Sequence, residues 1–159
     1  MTLSQKERQL LEDLKSKEQL CIDKYTRYSC AACDGELKAL FGKIANVESG
    51  HLNTIDSLLS GSMPQMNSGA NASGSSQSQT NGNATYKDQS AKTSECYKND
   101  SYLCSDLLDT EKHVSAVYNT CIFEFKDTAV RGVLNHIQKE EQEHGEQIYK
   151  YMEKNGMYS

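Results

Sequence analysis

The sequence predicts an all-α protein, a four-helix bundle made of two copies of one antiparallel helical hairpin. Three observations lead there. Apolar residues recur at alternating spacings of three and four along four segments, the stripe that a helix turns toward a core. The second pair of segments repeats the first: at a constant offset of 93 residues, Leu10, Asp13, Leu14, Glu18, Tyr25, Asp34, Ile44, Glu48, His51 and Ile55 fall on identical residues. At the middle of the stripes, where a bundle ordinarily places Leu or Ile, stand glutamates and histidines. Neither hairpin can bury its stripe alone, so the two should pack face to face as a single domain over residues 1–159.

The first hairpin is expected over residues 4–60. Ser4 and Glu7 have the spacing of a capping box, in which each side chain satisfies a free backbone N–H of the first turn. The helix that follows carries Leu11, Leu14, Glu18, Cys21, Tyr25 and Tyr28 and should run to about Ser29. Asp34 and Gly35 form a turn and N-cap signal. The second helix then presents Leu37, Phe41, Ile44, Glu48, His51, Ile55 and Leu58, and ends near Ser60 and Gly61.

Residues 61–95 are rich in Ser, Gly and Asn, with almost nothing apolar to bury, which predicts a disordered linker. Extended, a segment of that length spans more than ~100 Å, whereas the second helix is roughly 40 Å long. An end-to-end crossover is therefore permitted, giving the order up-down-down-up. The second hairpin is expected over residues 99–156, with a capped start around Asn99 and Asp100. Its third-helix stripe reads Cys104, Leu107, Glu111, Val114, Tyr118, Cys121 and Phe125; Asp127 and Thr128 repeat the turn signal. The fourth helix carries Val130, Leu134, Ile137, Glu141, His144, Ile148 and Tyr151 and stops at Gly156, the residue most tolerant of the left-handed conformation.

Six stripe residues define the candidate site: Glu18, Glu48, His51, Glu111, Glu141 and His144. A glutamate and a histidine three residues apart share one helix face, and Glu48/His51 and Glu141/His144 both have that spacing. Each pair has a further stripe glutamate 30 residues before its own. The intervening turns fall midway, so all six should converge at one level. A buried, unpaired carboxylate costs several kcal/mol, and four would rival a whole domain's stability of ~5–15 kcal/mol. Two divalent ions balance four carboxylates, and oxygen and nitrogen donors suit iron or manganese. The alternative is a duplicated site that no longer binds metal and is merely protonated or wet.

The pattern of one Glu on the first helix of each hairpin and Glu-x-x-His on the second resembles the ferritin-like superfamily of rubrerythrins, bacterioferritins and manganese catalases. The resemblance implies a ferritin-like bundle with a carboxylate-bridged di-iron or di-manganese centre. The stretch from Arg131 to His144, followed by Tyr149-Lys-Tyr-Met152 and the Gly156-Met-Tyr158 ending, resembles the coat F family of bacterial spore coat proteins. That second resemblance implies synthesis in the cytoplasm of a spore-forming bacterium and deposition in the spore coat, with other coat proteins or further copies of the chain as partners. Departures also count. No rubredoxin-like Cys-x-x-Cys module stands at either end, and ferritin's shell-forming features are missing.

Other classes of function find little support. A net charge of −5, with lysines and arginines scattered among acids, offers no basic face for nucleic acid. No apolar run approaches a signal or membrane-span length, which predicts a protein made and kept inside a cell. Cys30, Cys33 and Cys96 are expected at one end of the bundle, where a disulfide, a partial thiolate site and idle thiols are all open; Cys21, Cys104 and Cys121 should be core. Tyr25 and Tyr118 stand two turns, roughly 10 Å, from Glu18 and Glu111 along their own helices, which predicts packing without contact to the site. Tyr149, Tyr151 and Tyr158 form an aromatic tail, and His113 and His136 fall off the stripe. Three functions remain: a metal-bearing coat protein, a peroxide- or oxygen-reducing redox enzyme, and a metal-free structural bundle.

Overall fold

A computed structural model describes residues 2–64 and 93–158, and these form four helices and no strand. α1 spans Gln5–Ala31, α2 Gly35–Leu59, α3 Ser94–Ile122 and α4 Thr128–Lys154. The predicted starts hold where a side chain caps free N–H groups. Ser4 accepts from the Glu7 N–H while the Glu7 carboxylate accepts from the Ser4 N–H. Asp34 caps α2 through the N–H groups of Glu36 and Leu37, and Asp127 caps α4 through those of Ala129 and Val130. Gly61 and Gly156 take positive φ just beyond α2 and α4, as a helix stop requires.

One boundary differs from expectation. α3 begins at Ser94, capped by the Thr93 side chain on the Cys96 N–H, well before Asn99. Thr93, Ser94 and Glu95 share the linker's polar composition, so nothing apolar marks this first turn. Most of the linker predicted over 61–95 lies outside the described residues.

The four stripes meet as predicted. Leu11, Leu14, Leu37, Phe41, Ile55, Leu58, Leu107, Leu134 and Ile148 are fully buried, and each contributes about 1.5–3 kcal/mol. α1 packs on α2 and α3 on α4, and the hairpins meet through α1 against α3 and α2 against α4. End contacts fix the directions. At one end the Asn99 amide donates to the Ala31 carbonyl, Lys154 pairs with Glu36 at 2.8 Å, and Cys33 is joined to Cys96 by a disulfide. At the other end Arg8 donates to the Leu59 carbonyl and Lys6 pairs with Glu124. α1 is thus antiparallel to both α2 and α3, and α4 runs with α1: the order is up-down-down-up.

Two buried carboxylates outside the predicted site hold this arrangement together. Asp100 on α3 accepts from the backbone N–H groups of Cys33 and Asp34, at 2.8 and 3.0 Å, in the α1–α2 turn. Glu7 on α1 accepts from the Lys126 N–H, at 3.0 Å, in the α3–α4 turn. These positions correspond under the repeat. Each hairpin therefore latches the turn of the other, its buried carboxylate accepting from backbone donors of that turn.

Candidate metal centre

The six predicted residues are brought together at the middle of the bundle. Glu18 on α1, Glu48 and His51 on α2, Glu111 on α3, and Glu141 and His144 on α4 are all buried, none more than 3% exposed. Ligand atoms of Glu18, Glu48, His51 and Glu141 lie within 4.8 Å of one another, and so do those of Glu48, Glu111, Glu141 and His144. Glu48 and Glu141 belong to both groups. The two imidazoles stack, with centroids 5.7 Å apart.

Both histidines turn Nδ1 inward. His51 Nδ1 lies 3.1 Å from Glu48 Oε2, 3.0 Å from Glu141 Oε1 and 3.5 Å from Glu18 Oε2. One ring nitrogen carries at most one proton and cannot serve three carboxylates. His144 Nδ1 is 3.0 Å from Glu48 Oε1 and 3.9 Å from both Glu111 Oε2 and Glu141 Oε2. Close approach is not alignment here. Glu18 Oε2, Glu48 Oε1, Glu111 Oε2, both Glu141 oxygens and His144 Nδ1 are buried without a hydrogen bond. Such a cluster of orphaned buried acceptors calls for a cation.

The outer oxygens are occupied, which aims the orphaned ones. The Tyr118 hydroxyl donates to Glu18 Oε1, and the Tyr25 hydroxyl to Glu111 Oε1. These contacts correct the expectation that both tyrosines stand clear of the site. The separation of two turns along one helix is real, but each tyrosine reaches the glutamate of the other hairpin. Side chains lean toward the N-terminus of their own helix. Because α1 and α3 are antiparallel, Tyr25 and Glu111 lean toward each other, as do Tyr118 and Glu18.

Charge is distributed unevenly. Burial pushes Glu18 up to about 7, although the neighbouring His51 opposes it, and burial also raises Glu111 and carries Glu141 well above the usual carboxylate range. Burial acts on Glu48 too, but the close approach of the His144 and His51 imidazoles outweighs it and holds Glu48 down at about 2. His51 would be lowered by burial, yet its contacts with Glu140, Glu141, Glu18 and Glu48 raise it strongly. Without metal, then, the cluster limits its negative charge by favouring protonated Glu18, Glu111 and Glu141 and a cationic His51. Burial keeps both tyrosines far above their ordinary value, so they remain donors.

Glu140 escaped the sequence reading. Its carboxylate lies 2.9 Å from His51 Nε2 and 3.4 Å from His136. A carboxylate on the outer nitrogen of an imidazole fixes the tautomer that leaves the inner nitrogen free to bind a metal. Glu140 sits off the core stripe and its repeat counterpart is Val47, so neither periodicity nor duplication signals it. Cys21 is buried beside the site, but burial and then the carboxylates of Glu48, Glu141, Glu111 and Glu18 raise its thiol, which stays protonated and outside the ligand set. Cys104 and Cys121 are buried as expected, whereas Cys30 is an exposed free thiol.

Fold and site together define a helical bundle whose core holds a duplicated carboxylate–imidazole cluster. Its second half has a family counterpart: residues 99–159 match the family model of the Coat F domain. That span carries Glu111, Glu141 and His144 and excludes Glu18, Glu48 and His51. No curated protein and no solved structure matches the chain.

Proposed function

We propose that the chain is a spore coat protein of ferritin-like type whose bundle binds two divalent iron or manganese ions. The observation that carries the metal reading is the set of orphaned oxygens of Glu18, Glu48, Glu111 and Glu141, together with the unpaired Nδ1 of His144. The Coat F match supports the spore coat setting, with other coat proteins or further copies of the chain as partners. No helix among the described residues is long and apolar enough to cross a membrane.

The donor set fits the ions. Four carboxylates balance two divalent charges, and oxygen and nitrogen donors without thiolate suit iron or manganese. Glu48 and Glu141 would be shared between the ions, Glu18 and His51 would complete one set, and Glu111 and His144 the other. Tyr118 and Tyr25 hold the outer oxygens of Glu18 and Glu111, and Glu140 orients His51. Bound iron or manganese would supply one-electron chemistry toward peroxide or dioxygen. In a coat protein the same ions would also brace the bundle by neutralising its core.

Metal analysis of protein purified without chelator tests this reading. Iron or manganese is expected to co-purify and to be lost in Glu141→Ala. Sub-stoichiometric metal unchanged by that substitution would return the metal-free structural bundle instead. A second reading, a peroxide- or oxygen-reducing enzyme, is favoured by a cleft that reaches Glu111 and Glu141. Peroxide turnover no faster than that of the free ion rejects it.

A further inference from the structure

A cleft of about 520 Å³ opens between α3 and α4. Leu108, Ser115, Gly145 and Tyr158 are among its walls, and the buried Glu111 and Glu141 border its inner end. Gly145 follows His144 directly. A Cβ there would sit 3.5 Å from Leu108 Cδ1 and 3.8 Å from Glu111 Cβ, so a longer side chain would grow into the space above Glu111.

The repeat supplies an internal control. The counterpart of Gly145 is Leu52 on α2, and that of Ser115 is Ile22 on α1. Both counterparts are half-buried apolar side chains, placed on the α1–α2 face where the small residues stand on the α3–α4 face. The two hairpins match in ligands and tyrosines and differ in the bulk laid over them. The first hairpin's histidine is also covered, since Glu140 of α4 closes on His51 Nε2, while the equivalent position facing His144 is Val47.

We infer that the buried carboxylates are reached from one side only: a divalent cation enters and leaves through the α3–α4 cleft past Gly145 and Ser115, and the α1–α2 face is sealed by Leu52 and Ile22. The orphaned oxygens Glu111 Oε2, Glu141 Oε1 and Glu141 Oε2 lie beneath the cleft, unpaired acceptors of the kind that a cation needs in exchange for its water. Two small residues where the repeat has two large ones keep the passage open.

The inference rests on the metal reading above, and its test separates the two. Gly145→Leu and Ser115→Ile each move the bulk of the first hairpin to the second, and Gly50→Ala, at an exposed glycine with nothing within 4 Å of an added Cβ, is the control. The full-length protein is loaded with Co²⁺, and the rates of uptake and of release to a chelator are followed by the cobalt absorption. Both plugging variants should slow uptake and release by about tenfold or more and leave the number of ions bound at equilibrium unchanged, while Gly50→Ala should keep wild-type rates. Rates within about twofold of wild type in both plugged variants overturn the inference, even with metal bound. A second arm needs no metal. Folded metal-free protein is treated with a water-soluble carbodiimide and glycinamide, and labelling is read peptide by peptide. Glu111 and Glu141 should label before Glu18 and Glu48, and Gly145→Leu should abolish the difference. Equal labelling of all four overturns one-sided access whether or not Co²⁺ binds, and absence of Co²⁺ binding with one-sided labelling overturns only the metal reading.

Discussion

Carboxylates are buried at both ends of the bundle and at its middle, and they are equally shielded: Asp100 is 0% exposed and Glu7 6%, against 0–2% for Glu18, Glu48, Glu111 and Glu141. They differ in donors. Asp100 receives the N–H groups of Cys33 and Asp34 and the Asn99 amide, and Glu7 receives those of Ser4 and Lys126. At the middle, four carboxylates keep an oxygen or two that nothing in the chain satisfies. Burial of a carboxylate is therefore no sign of a metal by itself. The missing donor is the sign, and it divides structural acids from candidate ligands in one molecule.

The largest effect that would break this division is metal-dependent stability. A ligand that binds only the folded state at about a thousand times its dissociation constant adds about 4 kcal/mol, so adding Mn²⁺ or Fe²⁺ should raise the unfolding midpoint by several degrees. Glu141→Gln should remove that increment while leaving the metal-free protein as stable as wild type or more so, because it replaces orphaned acceptors. Thermal melts with and without metal check both signs. A Glu141→Gln protein that is less stable without metal would make Glu141 a structural acid like Asp100.

The pH dependence of the metal-free protein should show the division next. Glu18 is raised by burial to about 7, so between its ordinary value of 4.5 and about 7 the folded state holds more protons than the unfolded one, and stability falls as pH rises. His51 acts in the same direction: its raised value gives stability that is full below its ordinary 6.5 and is lost as pH climbs. Glu7 has the opposite sign. Hydrogen bonds from the Lys126 and Ser4 backbone hold it below its ordinary 4.5, so its contribution is present above that value and fades as pH falls through the folded one. Metal binding displaces protons, so the metal's increment should grow with pH. Denaturant melts from pH 5 to pH 8 would contradict this picture if metal-free stability rose across the range.

At the ends, Asp100→Ala should destabilise the protein with or without metal. It removes the acceptor from two part-buried N–H groups, a loss of about 1 kcal/mol for each hydrogen bond. The latch also shows where the sequence was opaque. From helix stripes, caps and a fixed repeat offset the four helices and the convergence of six side chains are legible, whereas the up-down-down-up order is only permitted by the length of the linker. Asp100 has in sequence only the mark of a helix start, because its partners, Cys33 and Asp34, are 66 or more residues away across the bundle. Asp100 corresponds to Glu7 in the repeat, but as a similarity rather than an identity, which a match of identical residues does not register. Glu140 and the tyrosine contacts were hidden for the same reason: they depend on which helix stands opposite, and a one-dimensional period does not contain that.

The smallest predicted effect separates the two halves of the site. Tyr118→Phe and Tyr25→Phe each remove one donor from a buried carboxylate, a loss of about 1 kcal/mol, and a perfectly symmetric site would feel them equally. Glu111, the partner of Tyr25, borders the α3–α4 cleft, whereas Glu18, the partner of Tyr118, does not line it. Water entering the cleft can replace the donor lost from Glu111, but the same loss at Glu18 is left uncompensated. Tyr118→Phe should therefore destabilise the metal-free protein more than Tyr25→Phe, as read by paired urea titrations. Equal losses would mean that water does not reach Glu111, and the cleft would then be a surface feature without connection to the core. A larger loss in Tyr118→Phe would show the duplicated ligand set operating in two different environments, one dry and one open to solvent, despite identical first-hairpin and second-hairpin side chains.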